Sequence, residues 1–252
     1  MKITVLALLL LALIPFCAFA VDGQMLINQS TVMAAGGFPY KITQPGSYKL
    51  SGNLVVTTAA DGIDINSDDV SLDLNGFMIS CTSSACNGLD AAVSRAFTGV
   101  VSFGFADITV KNGSVRGFGN GVYLFGSGLV SDLSATANVP PGTVHGVGIT
   151  VFGDSASGIG FVVTRCAANS NQNGISSDNS VVTDSIANSN TSRGLTGSNS
   201  SFFNNVANLN QVGLILVNGV FGGNNFQNDG TPTDNGIGSV SQNNNNCGGS
   251  VC

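Results

Sequence analysis

The feature that most limits what this chain can fold into is a repeat too short to hold a strand and a helix. Aligned on asparagine, three successive stretches read VVTRCAANSNQNGI from Val162, VVTDSIANSNTSRGL from Val181 and FFNNVANLNQVGL from Phe202. Ala168, Ala187 and Ala207 share a column at intervals of 19 and 20 residues. Asn169, Asn188 and Asn208 fill the next column, and Asn171, Asn190 and Asn210 stand two places on. Each unit ends at a glycine followed by an apolar residue. That mark recurs at Gly62-Ile63, Gly99-Val100, Gly121-Val122, Gly148-Ile149, Gly174-Ile175, Gly194-Leu195, Gly213-Leu214 and Gly236-Ile237, so the chain carries about eight units.

After each mark, apolar and polar residues alternate, as in GIDINSDDVSLDLNG and GVYLFG. This is the period of a strand with one buried face. Units of this size stack as a solenoid, one coil each, with every strand pairing in parallel with its counterpart in the next coil. Eight coils at about 4.8 Å make a rod about 35–40 Å long with Val, Ile, Leu and Phe along its axis. Asparagines at matching positions can then hydrogen-bond up the stack. The columns Asn169/Asn188/Asn208 and Asn171/Asn190/Asn210 therefore read as scaffold. Composition agrees with an all-β chain: all 14 acidic residues are Asp, 34 residues are Gly, and the Glu and Lys that build exposed helix faces are absent or scarce.

The stretches GIDINSDDVSLDLNGFMI (62–79) and ITVKNGSVRGFGNGVYL (108–124), followed by the A-x-x-N coils, resemble right-handed parallel β-helix proteins of the pectin-lyase-like superfamily. FPYKITQPGSYKLSGNLVV (38–56) resembles the N-terminal segment of exported bacterial members with no assigned activity. The resemblance implies a single-stranded right-handed parallel β-helix over nearly the whole chain. It implies no reaction, because the superfamily holds pectate lyases, polygalacturonases, alginate epimerases, phage tailspikes and many non-enzymes.

Residues 1–20 combine Lys2, an apolar run and AFA at 18–20, which reads as a secretory signal. The expected organisation is then a lead-in and cap over 21–50, the β-helix over 51–240 and an Asn-rich tail over 241–252, in an extracellular or periplasmic protein. No later stretch is long and apolar enough to span a bilayer. In an exported chain, the close pairs Cys81/Cys86 and Cys247/Cys252 read as disulfides. Cys166 occupies a column held by Ser185 and Asn205, an ordinary repeat position. The net charge of −6 argues against nucleic acid or an anionic membrane as partner. An acidic polysaccharide would need a bridging cation.

The densest polar cluster is Asp61, Asp64, Asp68, Asp69 and Asp73. Asp64, Asp68, Asp69 and Asp73 are oxygen ligands of the kind that hold Ca²⁺. They are also what a turn and a solvated strand face require. Polygalacturonases of the superfamily place paired aspartates one coil from a G-H-G, but here the marks at Gly99 and Gly121 separate Asp68 and Asp69 from His145. A lyase needs a basic residue near its calcium, and the candidates are Arg95, Arg116, Arg165 and Arg193, with Arg116 in VRGFGNG. Sugar surfaces favour flat aromatic rings, whereas the chain has no Trp and three Tyr, and most of its Phe, Phe202 and Phe203 among them, are expected in the core. The sequence thus points to an exported, non-catalytic β-helix without cofactor whose polar flank contacts a surface or glycan. A calcium-assisted polysaccharide lyase and an adhesin-like structural module are the alternatives.

Overall fold

The computed structural model describes residues 23–87, 89–90, 95–138, 146–235, 238–242, 244–248 and 250–251. Residues 1–22, the stretch expected to be a signal among them, His145, Gly236-Ile237 and Cys252 lie outside the described residues. The chain is a parallel β-solenoid of about nine turns. Three ladders run its length. Face I begins with Tyr40–Ile42 and Ile63–Ile65 and continues through Val147–Gly153, Asn173–Asp178, Arg193–Ser198, Val212–Val217 and Thr231–Asn235. Face II runs from Gln24–Ile27 through Phe161–Thr164 and Val181–Thr183 to Val240–Ser241. Face III runs from Leu54–Val56 through Ala167–Asn169 and Ile186–Asn188 to Asn246–Cys247. Two long strands, Thr98–Arg116 and Asn120–Thr136, wrap all three faces and pair with each other in parallel.

The turn count exceeds the glycine marks because the terminal rungs of face I carry none. Tyr40–Ile42 follows Pro39, and Leu214 pairs with Thr233, which sets Pro232 opposite Gly213. The last face-I strand is therefore Thr231–Asn235 rather than a unit opened by Gly236. Inside the stack the glycine is compulsory: a Cβ on Gly174 would meet the backbone oxygen of Gly194, with Ala187 Cβ and the Asn190 side-chain nitrogen each 2.8 Å away. The Ala, Asn and Gly columns of the repeat are thus three sides of one packed corner.

Each corner in the regular coils follows one rule, a residue in the left-handed region followed by a side chain turned inward. Asn179 and Asn199 (φ 47° and 48°) precede Ser180 and Ser200 between faces I and II. Asp184 and Asn204 (φ 51° and 55°) precede Ser185 and Asn205 between faces II and III. Ser189 and Leu209 (φ 56° and 58°) precede Asn190 and Asn210 between faces III and I. Asn and Asp adopt this conformation with least cost among residues carrying a Cβ, which is why an Asn-rich sequence suits sharp corners.

One continuous apolar core runs from Ile27 to Phe226. Phe203 is a correction to the expected core: alternation turns Phe202 inward, fully buried, and leaves Phe203 half-exposed on the outer side of the same strand. At the N-terminal end the short helix Gln29–Ala34, opened by Asn28 and Thr31 in a capping box, places Val32 against the first coil. At the other end Asn246–Cys247 turns back and pairs antiparallel with Ser250–Val251. Among the described residues, no helix is long and apolar enough to cross a membrane.

Candidate functional site

The two expected asparagine columns do different things. Asn171, Asn190 and Asn210 are buried at the corner between faces III and I. The Asn171 N–H donates to Asn190 Oδ1 at 3.0 Å, the Asn190 N–H and Nδ2 both donate to Asn210 Oδ1 at 3.0 Å, and each Nδ2 reaches back to an alanine carbonyl, as Asn190 does to Ala168 at 3.0 Å. The stack begins at Asn138 and ends at Asp229. Asn169, Asn188 and Asn208 sit on the outer side of face III, half-buried; the Asn188 N–H donates to Asn169 Oδ1 at 2.9 Å, and Asn208 Oδ1 accepts from Asn228 Nδ2 at 3.1 Å. A further stack runs through Cys166, Ser185, Asn205, Asn224 and Asn245. The repeat alignment held its first three members, but Asn224 and Asn245 escaped because the last coils depart from the motif.

The acidic cluster is not brought together as a metal site. Asp64 lies on face I and Asp73 on face II, with Asp68 and Asp69 at the corner between. Backbone N–H groups occupy two of the carboxylates: Ala106 donates to Asp68 and Asn75 to Asp73, both at 2.7 Å. Among the described residues, no three His, Cys, Asp or Glu side chains converge to hold a metal. Arg116 is exposed at the end of its strand on face III, away from Asp64. Cys81 and Cys86 form a disulfide, and Cys247 is disulfide-bonded. Cys166 is a free thiol, buried, its pKa pushed up to about 11 by that burial, which keeps it from the reactive thiolate form.

A different arrangement lies on face I, where two insertions enter the coil from face III. Residues 82–97 and 137–146 replace the short link 189–192 of a regular coil. Arg95 and Ala96 of the first help line a cleft of about 350 Å³, with Asn120, Tyr123, Thr150, Phe152 and Ser176 among its other walls. Its floor follows from register. Phe103 pairs with Phe125 and Phe125 with Phe152, so three successive coils place a phenylalanine at one outward position. Tyr123 stands two places earlier in its strand and meets the rings of Phe103 at 5.6 Å and Phe152 at 5.4 Å, while Phe125 and Phe152 lie 6.5 Å apart. Phe103 is 50% and Phe125 43% exposed.

Phe103, Phe125 and Phe152 stand outside the core in which most of the phenylalanines were expected. The signal was present: Gly99-Val-Val-Ser-Phe103-Gly, Gly121-Val-Tyr-Leu-Phe125-Gly and Gly148-Ile-Thr-Val-Phe152-Gly are one motif in three coils, and alternation after the glycine turns the fourth residue outward.

The polar groups of the cleft are fixed from behind. Arg95 Nη1 donates to Asp61 Oδ1 at 2.9 Å and Nη2 to Asp61 Oδ2, and Nη1 also reaches Thr98 Oγ1 at 3.1 Å. The Thr98 N–H donates to the same carboxylate at 2.7 Å, and the guanidinium lies 5.2 Å from the centre of the Phe103 ring. Asp61 is buried. Arg95, one of four arginines considered as a lyase base, is thus the partner of a buried carboxylate, a pairing across 34 residues. Burial holds the Tyr123 hydroxyl above its ordinary pKa, with Arg95 pulling the other way, so it stays a protonated donor. Thr150 is 4% exposed, and its Oγ1 is closed to solvent with no hydrogen-bond partner among the described residues, so Thr150 lends the cleft its side-chain surface rather than its hydroxyl. No family model, curated protein sequence or solved structure matches the chain.

Proposed function

We propose that the protein is an exported, non-catalytic β-helix of the pectin-lyase-like kind that contacts glycans through the aromatic cleft of face I. The observation that carries this reading is the cluster of Phe103, Tyr123, Phe125 and Phe152 beside a cleft of about 350 Å³. Aromatic rings fixed on a rigid sheet pack against the C–H faces of sugars, and neighbouring hydroxyl and amide groups supply orientation. Here those groups are Tyr123, Asn120 and Ser176. The described lining carries no carboxylate, and its arginine is committed to Asp61, so the cleft is furnished for contact rather than for proton transfer. The superfamily assignment is supported by the parallel three-faced stack and its buried asparagine corners. Export is supported by the charged, apolar and small-residue pattern of residues 1–20.

Affinity electrophoresis of the wild type and a Tyr123→Ala/Phe152→Ala variant through gels containing a panel of soluble polysaccharides tests the reading. Retardation by at least one glycan, lost in the variant, is expected. Equal migration of the two proteins in every gel would exclude the cleft as a glycan site.

A further inference from the structure

Resting on the reading of face I as a glycan surface, we infer that the chain it accepts is neutral, without uronate, sulfate or phosphate groups. The charge around the rings sets this. Asp178 is in register with Phe152, immediately beyond the last ring of the column. Asp154 lines a second cleft of about 310 Å³ on the same side, with Phe105, Phe125 and Ile159. The Ala156 N–H donates to Asp154 Oδ1 at 2.9 Å, and hydrogen bonds from Ala156 and Ser157 hold that carboxyl below its ordinary range, so it is charged at neutral pH. Phe125 borders this second cleft and contacts Phe152 of the first, so a chain lying over the rings runs toward a carboxylate.

Among the described residues, no cation lining either cleft is placed to answer an anionic sugar. Arg95 is neutralised by both oxygens of Asp61, donates also to the Ala96 carbonyl and packs against Phe103. Lys41 and Arg193 also stand on face I, but Lys41 is in register with Asp64 and Arg193 with Asn173 and Val212, and neither lines these two clefts. An anionic sugar over the rings would be held beside like charge without a partner, which is unfavourable. The hydroxyls of the lining, on Tyr123 and Ser176, match uncharged hydroxyls.

Matched pairs of probes separate charge from shape. Oligomers of α-1,4-linked galacturonate and β-1,4-linked mannuronate, and the same oligomers after carboxyl reduction to neutral sugars, are titrated into the full protein by calorimetry. At least one reduced oligomer is expected to bind about tenfold or more tightly than its parent, with the gap narrowing as salt screens the carboxylates. Asp61→Asn frees Arg95 and is expected to strengthen binding of the parent oligomer. Circular dichroism checks its fold, and should it fail to fold, Asp154→Asn/Asp178→Asn is expected to shift preference in the same direction. A parent that binds as tightly as its reduced form, with binding lost in Tyr123→Ala, would overturn the neutral class while leaving the cleft as a glycan site. Failure of every probe, or binding indifferent to Tyr123→Ala/Phe152→Ala, would overturn both readings.

Discussion

The coils from Ala167 onward and those between Thr98 and Gly153 share one plan of three strands and three corners, yet the aromatic cleft lies on the earlier ones. In the later coils the corners pair one left-handed residue with one inward side chain, except at Asn218-Gly219, and the outward positions of face I carry Ser176 and Asp178, then Thr196 and Ser198, then Ile215 and Val217. Polar groups at these corners bond up the stack, and no aromatic ring stands on face I among the described residues of these coils. In the earlier coils the corner itself persists: Asn138 still receives the Phe118 N–H at 3.1 Å and bonds to Asn171. The inserted residues follow the ladder residue instead of replacing it. One coil before, where the ring of Phe118 rather than an amide fills the corner, the Cys81–Cys86 disulfide lies alongside, and the Cys86 carbonyl accepts from the Gly119 N–H at 3.0 Å. A solenoid can thus accept an insertion where the corner is otherwise pinned, and the insertion supplies a wall for a site.

The sharpest break in this comparison should come from the glycine column. Gly174→Val forces a branched side chain against the Gly194 backbone oxygen, which cannot yield without shifting the next coil. A loss of about 4 kcal/mol is expected, read from urea unfolding. A loss under about 1 kcal/mol would show that neighbouring coils slide freely.

Asn190→Ala should follow. It strips the acceptor of the Asn171 N–H and the donors to the Ala168 carbonyl and Asn210, for about 2–3 kcal/mol. Phe103→Ser, at a half-exposed ring of the cleft, should cost less than about 1 kcal/mol. Equal losses in the two variants would erase the distinction between scaffold corner and outer face.

Asp229→Asn should sharpen the comparison by completing the ladder. Asp229 Oδ2 lies 2.6 Å from the Cβ position of Gly213, as the side-chain nitrogen of Asn210 lies 2.7 Å from that of Gly194. It therefore occupies the site of an amide donor, buried and without a partner. Burial raises the Asp229 pKa. Because its folded value exceeds its unfolded value, the protonated acid favours the fold, and that contribution is lost as pH rises through the carboxylate range. Asp229→Asn should be more stable than wild type by about 1 kcal/mol at neutral pH, and the gap should shrink on acidification. A gap independent of pH would refute the assignment.

Much of the coil was legible without coordinates. The glycine-apolar mark located the face-I strands from Ile63 to Val217, and the Asn171, Asn190 and Asn210 column was recognisable as a stack. The columns did not reveal that Asn169, Asn188 and Asn208 face outward, since two places along the repeat cross from strand to corner. Phe103, Phe125 and Phe152 were hidden because phenylalanine was read by composition, as core, instead of by position after the glycine. The Asp61–Arg95 pair was hidden by the insertion between its members, whose return path no spacing rule describes.

What the sequence by itself determined is the coil. Alternation, left-handed corner residues and a glycine where backbones touch are local demands, met or failed within about twenty residues. What only the tertiary structure decided is which outward side chains of different coils become neighbours and where an insertion comes to rest. Those depend on strand register, set by backbone pairing across residues far apart in the chain, and on packing that satisfies the buried Asp61 carboxylate with an arginine from the inserted hairpin. The aromatic cleft is the product of both, a local motif written three times and aligned by the stack.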